Sequence, residues 1–268
     1  MGIYFTIPIL LIFHFFFSFF PFLIAGPIER SNTLLPQFYV TKKFCYSTAS
    51  IGLRIFIIGL AKKVIIADSI SVLVDNIFNN YSQFNSSTLI IGAIGFSFQI
   101  YADFSGYSDM AIGISKLLGF ELTNNFNYPY FSENLIQFWK KWHISLTNWF
   151  RDYLYIPLGG NKGSLIDKNT NIMIVFFISG LWHGASWNFI LWGCLHGVSY
   201  IFLSNLKKPL IPNTTLFLKI IKILFTFIFV TLCWIPFRMH NFSDTCNYFR
   251  TILNFEKINL FFSVPFGI

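Results

Sequence analysis

Residues 88–118 read TLIIGAIGFSFQIYADFSGYSDMAIGISKLL. The stretch exceeds the roughly 20 residues that a helix needs to cross the hydrocarbon core of a bilayer. Its first half is apolar or small, but its second half carries Tyr101, Asp103, Ser105, Tyr107 and Asp109. Charged groups at membrane depth cost a few kcal/mol each and persist where they line a cavity or pair with one another. This one segment therefore argues for an all-α integral membrane protein whose helices enclose a polar interior. Tyr101, Ser105 and Asp109 are spaced i, i+4, i+8, and Asp103 with Tyr107 i, i+4, so each set lines one helix face. Two readings stand: a polar wall or substrate track, and an interhelical hydrogen-bond network that holds the bundle together.

Composition points the same way. Of 268 residues, 54% are hydrophobic and only 11% charged, with 36 Phe, whereas soluble domains carry about 25% charged residues. Too few polar groups remain to cover a surface facing water. The net charge of +8 does not indicate nucleic acid, because the basic residues are scattered between apolar runs and form no stripe or tail. Cys45, Cys194, Cys233 and Cys246 have no CxxC spacing, so neither a zinc site nor a disulfide framework is indicated. No pair of His or carboxylates shows a metal-ligand spacing such as HExxH.

Further spans are expected at 3–24, with Pro8 and Pro21 as kinks, at 51–67 interrupted by Arg54, Lys62 and Lys63, at 172–203 and at 216–237. Loop 25–50 carries Arg30, Lys42 and Lys43, while 67–88 carries Asp68 and Asp75 and no basic residue, which places the first loop in the cytoplasm. Segment 119–171, with Lys140, Lys141, Arg151, Lys162 and Lys168, returns to that side after the next crossing. Lys207 and Lys208 then break the alternation, and 172–203 is too long for one crossing at about 48 Å. Two short helices there reconcile both observations.

Two segments hold the candidates for chemistry. FWKKWHISLTNWFRDYLYIPLGG, residues 138–160, places Trp139, Trp142, Leu146, Trp149 and Tyr153 at helical spacing with Lys140, Lys141 and Arg151 on other faces. That pattern predicts an amphipathic helix near 138–155 lying at the head-group level, with His143 on its apolar side. SGLWHGASWNFILWGCLHG, residues 179–197, sets His183 between Gly180 and Gly184, beside Trp182, Ser186, Trp187 and Asn188. Small neighbours let a substrate or another backbone come close, and a neutral imidazole there suits a general base. The alternative is a histidine that satisfies a helix-helix hydrogen bond. His196 lies about 220° around an unbroken helix from His183 and reads as structural unless the helix breaks between them.

With AGPIER (25–30) and YADFSGYSDMAIG (101–113), these segments stand in an order that resembles the membrane-bound O-acyltransferase family, and within it the bacterial alginate O-acetylase and peptidoglycan O-acetyltransferase branch. The resemblance spans about residues 20–240. It implies one domain over 1–268, partial by comparison with the branch, as a multi-helix transmembrane bundle around a polar funnel with a catalytic histidine at its neck. That histidine matches His183 and the family's second histidine His143, while Asp103, Ser105, Tyr107, Asp109, Arg151, Asp152, Trp182, Ser186 and Asn188 are expected to bind substrate or line the tunnel.

With no bound cofactor or metal expected, the resemblance implies acetyl-CoA or another acyl thioester as cytoplasmic donor, and a cell-envelope or extracellular polysaccharide as acceptor. It further implies a periplasmic or extracellular partner protein, contact with membrane lipid and a multi-pass location in the cell inner membrane. Branch members are usually well over 400 residues, so the expectation is a fragment or a short form needing another chain, unstable when 1–268 is expressed alone. A transporter or channel component relying on Asp103 and Asp109, and an inactive remnant, are the rival readings.

Overall fold

In the computed structural model of the chain, the described residues are 3–23, 26–206 and 215–254. They form helices and connecting turns, with no strand among them. In chain order the helices are α1 (Ile3–Ser18), α2 (Ser31–Phe38), α3 (Tyr46–Ala61), α4 (Asp68–Asn79), α5 (Ser86–Leu117), α6 (Leu135–Trp139), α7 (Ile144–Phe150), α8 (Leu165–His183), α9 (Trp187–Asn205), α10 (Leu216–Arg238) and α11 (Phe242–Leu253). Two of them, α5 and α10, are long and apolar enough to cross a membrane. Their outward faces, with those of α3 and the segment after it, present Ile57, Ile58, Val64, Ile65, Leu224, Phe225 and Ile228, a surface that suits lipid rather than water.

The sequence marks where helices begin. Asn85 caps α5 by accepting from the Thr88 amide at 2.9 Å, and Ser164 with Asp167 closes a capping box at the start of α8, each satisfying amides that have no partner inside the helix. Some bounds differ from the hydrophobic pattern. The run expected over 3–24 is helical only to Ser18; a 3-10 turn at Phe20–Phe22 contains Pro21, and Ile24 lies outside the described residues, as do Lys207 and Lys208. The helix expected to end at Ala67 instead passes through a π-helical segment, Lys62–Ala67, into α4. Asp68 pairs with Lys63 at 2.7 Å, which lets the acidic residue stay on the helix. The long run over 172–203 is two 19-residue helices, α8 and α9, separated at Gly184–Ser186 and packed on each other.

In lipid, apolar burial gives little net drive, so close backbone packing, aromatic contacts and hydrogen bonds must hold the helices. Glycines supply the first. Gly52 faces Gly113 and Gly59 faces Gly106, so α3 and α5 touch through paired glycines seven residues apart on each helix; a Cβ at Gly59 would meet the Gly106 carbonyl at 2.6 Å. Between α8 and α9, Gly180 lies against the Phe189 carbonyl and Gly193 against that of Phe176. The core itself is aromatic, built around Phe138, Trp142, Trp192, Trp234 and Tyr248. Stacked pairs such as Phe138–Trp142 at 5.5 Å and Trp192–Trp234 at 6.0 Å contribute about 1 kcal/mol each beyond their area. Tyr130 ties it together, accepting from the Trp234 indole N–H at 3.1 Å and donating to the Ser97 carbonyl at 2.7 Å.

Candidate active site

The amphipathic helix expected over 138–155 is broken. Its residues fall into α6, a turn at 140–143, α7 and a π-helical segment Arg151–Tyr155. The break is at His143, whose φ of +44° and ψ of +54° are left-handed, a conformation that costs a residue with a Cβ roughly 1–2 kcal/mol. Trp139 and Trp142 are buried in the aromatic core instead of lying on an interface. Only the later part, with Trp149 and Tyr153, keeps an exposed aromatic face.

The turn delivers His143 into the bundle. Its ring meets that of Phe104, near the midpoint of α5, edge to face at 4.6 Å. His183 arrives from the last turn of α8, where Gly184, at φ +154°, ends the helix. Its ring packs against Trp182, Phe237 and Trp192 at 4.8, 4.9 and 5.1 Å. Both imidazoles line one small cavity of about 60 Å³, with Phe104, Trp139, Ser179 and Trp192 among its other walls. Burial, and then the neighbouring His183 imidazole, push the pKa of His143 down, so its ring is neutral. Its Nδ1 is buried and has no protein partner.

A larger half-open cleft of about 620 Å³ lies alongside. Trp139, Leu146 and Ser179 line both spaces. Lys140, Arg151 and Lys168 are its cationic lining residues, while Ile172, Val175, Phe176 and Tyr200 make its walls largely apolar. The cleft follows α8 from Lys168 to Ser179, a rise of about 16 Å, and Ser179 stands one helical turn before His183.

Not every expected residue reaches this place. Asp109 pairs with Lys62 at 2.6 Å and Asp103 with Lys63 at 2.7 Å, where α3 and the π-helical segment meet α5; neither lines either of the two spaces. The acidic groups that suggested a polar interior are thus neutralised between helices. Ser105 is buried within α5 and Tyr107 half-buried, both away from the two spaces. Asp152 bonds Arg151 at 2.7 Å and Arg30 at 2.9 Å; the bond from Arg151 first, then the two positive charges, hold its carboxyl below the usual range. Trp182 is half exposed, its ring 6.2 Å from that of His143. Ser186 caps α9. Asn188 is buried, donating to the Met239 carbonyl at 2.8 Å and accepting from Thr245, so it ties the start of α9 to the α10–α11 turn. The helix does break between His183 and His196, yet His196 sits in the aromatic core, against Trp139 at 5.0 Å, and lines neither space.

Sequence reasoning missed what ties the motifs together. Segment 26–30 is a strap that joins α7, the loop at Thr123 and the π-helical segment: the Ile28 amide donates to Ser145 Oγ at 2.9 Å, Glu29 accepts from Thr123, and Arg30 reaches Asp152. Burial raises the pKa of Glu29 against the lowering effect of its bonds from Thr123.

A family model described as MBOAT, membrane-bound O-acyltransferase family, matches residues 5–242. The chain belongs to the membrane-bound O-acyltransferase family. It is 38% identical over 244 residues to a probable alginate O-acetylase of Azotobacter vinelandii, covering 90% of this chain and 47% of that protein. It is 39% identical over 247 residues to a peptidoglycan O-acetyltransferase of Helicobacter pylori, covering 91% and 47%. A teichoic acid D-alanyltransferase of Bacillus subtilis is 30% identical over 238 residues, covering 81% and 58%. The chain spans about half the length of the first two of these relatives. Membership fits the lipid-suited surface of this all-helical O-acyltransferase-family chain, and all four sequence motifs fall within or across the matched region.

Proposed function

We propose that this protein transfers an acyl group, acetyl in the first instance, from a thioester donor on the cytoplasmic side to hydroxyls of a cell-envelope or extracellular polysaccharide. The observation that carries the reading is that His143 and His183, from separate motifs, line one cavity beside the larger cleft. The names of the relatives, acting on alginate, peptidoglycan and teichoic acid, supply the acceptor class.

The donor's acyl thioester arm lies in the apolar cleft, with Lys140, Arg151 and Lys168 toward anionic groups at its outer end. Its carbonyl carbon reaches the small cavity past Ser179. His183 takes the proton from the acceptor hydroxyl, the hydroxyl oxygen forms a C–O bond to the acyl carbon, the C–S bond breaks, and the thiolate leaves to be protonated. His143, neutral, orients the reacting groups or shares the proton. No bound cofactor or metal takes part; acetyl-CoA or another acyl thioester is substrate. The helices cross the inner membrane several times around a funnel, with loop 25–50 and segment 119–171 on the cytoplasmic face, and a periplasmic or extracellular partner receives or presents the acceptor.

The test supplies labelled acetyl-CoA to membranes containing the protein and follows label on polysaccharide. Transfer is expected, and His183→Ala is expected to abolish it while the protein stays inserted. Wild-type transfer by that variant would remove His183 from the chemistry, and absence of any labelled product from the unaltered protein, with its family's donors supplied, would overturn the reading.

A further inference from the structure

His143 is the N-cap residue of α7, yet its side chain makes no cap bond. The first amides of a helix have no partner within it, and an N-cap Ser, Thr, Asp or Asn ordinarily bonds them. Here they are satisfied from another segment. The Asn125 carbonyl accepts from the Ile144 amide at 2.9 Å. Asn125 Oδ1 accepts from the Ser145 amide at 3.3 Å and from Ser145 Oγ at 2.6 Å, and Asn125 Nδ2 donates to Ser108 Oγ on α5 at 3.2 Å. Ser145 Oγ in turn accepts from the Ile28 amide of the strap. Asn125, Ser145 and Ser108 are 1%, 3% and 1% exposed, so these bonds meet little competition from water.

We infer that Asn125 is a positioning residue for His143. By capping α7 from outside, it frees the imidazole from cap duty and holds the left-handed backbone at His143, so that the ring lines the cavity shared with His183. Ser145 links this cap to the strap, making the Ile28 amide part of the same clamp. The inference rests on the acyl-transfer reading only for its kinetic arm.

The experiment uses the full chain in membranes and after detergent extraction. Asn125→Ala is expected to lower kcat for acetyl transfer about 10-fold or more, since small misplacements of a reacting group carry losses of that order, with KM for the thioester donor unchanged within about twofold. The double variant Asn125→Ala with His143→Ala is expected to be no slower than His143→Ala alone, because residues acting through one another are not additive. Independently of any activity, carbethoxylation of His143 by diethyl pyrocarbonate, read by mass spectrometry against the exposed His240, is expected to rise several-fold in Asn125→Ala. If that variant is lost from membranes, Ser145→Ala, which removes one hydroxyl of the clamp, carries both measurements. Unchanged kcat, or unchanged His143 reactivity in a folded variant, overturns the inference. If the unaltered protein shows no transfer, the acyl-transfer reading fails while the modification arm still decides the role of Asn125.

Discussion

His143 combines two demands that separate substitutions can pull apart. Its imidazole lines the cavity, and its backbone is left-handed, a region that Asn tolerates better than Ala. His143→Asn and His143→Ala are both expected to lose transfer, whereas only Ala should also lower thermal stability in detergent, by about 1 kcal/mol. Equal stability of the two would show that the turn is not what holds the backbone. At His183 the expected loss of rate is about 10²- to 10⁴-fold, the usual contribution of a general base. Asp109 makes the opposite case, because its partner is Lys62. Removing the carboxylate alone leaves a half-buried ammonium unpaired, so Asp109→Asn should reduce the amount of protein in the membrane. Adding Lys62→Met should restore it with transfer intact, since replacing both members of such a pair is far less costly than breaking it. A stable double variant without transfer would return Asp109 to the substrate path.

The α3–α5 pair depends on Gly59 and Gly106 facing each other. Gly59→Val would drive a branched side chain into the Gly106 carbonyl, so the protein's abundance and melting temperature are expected to fall, with overpacking costing about 1–3 kcal/mol. Tolerance of that change would mean the two helices are held by other contacts. At this scale the sequence was legible where hydrophobic length alone decides: 88–118 and 216–237 agree with α5 and α10 to within two residues. The hairpin of α8 and α9 was legible from excess length. The 138–155 segment was not, because its helical spacing continues unbroken through a turn whose left-handed residue is a histidine and whose cap comes from Asn125, in a loop with no periodic signal. The glycines beside His183 and the tryptophan spacing around His143 singled these two residues out, but the pairing of Asp103 and Asp109 with Lys63 and Lys62 was not legible, since spacing along one helix says nothing of the charges on its neighbour.

For the whole molecule, charge distribution sets the expected direction of work. On the proposed orientation, segment 119–171, carrying Lys140, Lys162 and Lys168, lies on the cytoplasmic side by the positive-inside rule, and α8 would then carry the cleft inward from Lys168 to Ser179. A cysteine placed at Lys162 is expected to react with an impermeant maleimide only from the cytoplasmic face of sealed vesicles. Reaction from the outer face would reverse the donor and acceptor sides of the proposed transfer.

The strap at 26–30 also bears on the order in which the protein is made. Ile28 bonds a residue 117 positions later and Glu29 one 94 positions later, so the strap waits in the nascent chain until α5 and α7 have left the ribosome. Closing a loop of that length costs on the order of 4 kcal/mol in chain entropy, recovered only when Ser145 and Asp152 are in place to receive it. The motif made first of the four therefore finds its partner in α7 only after 117 further residues have followed it. Until that docking the clamp around His143 lacks its bond from Ile28, so the ordering of this turn waits on docking and not on translation alone.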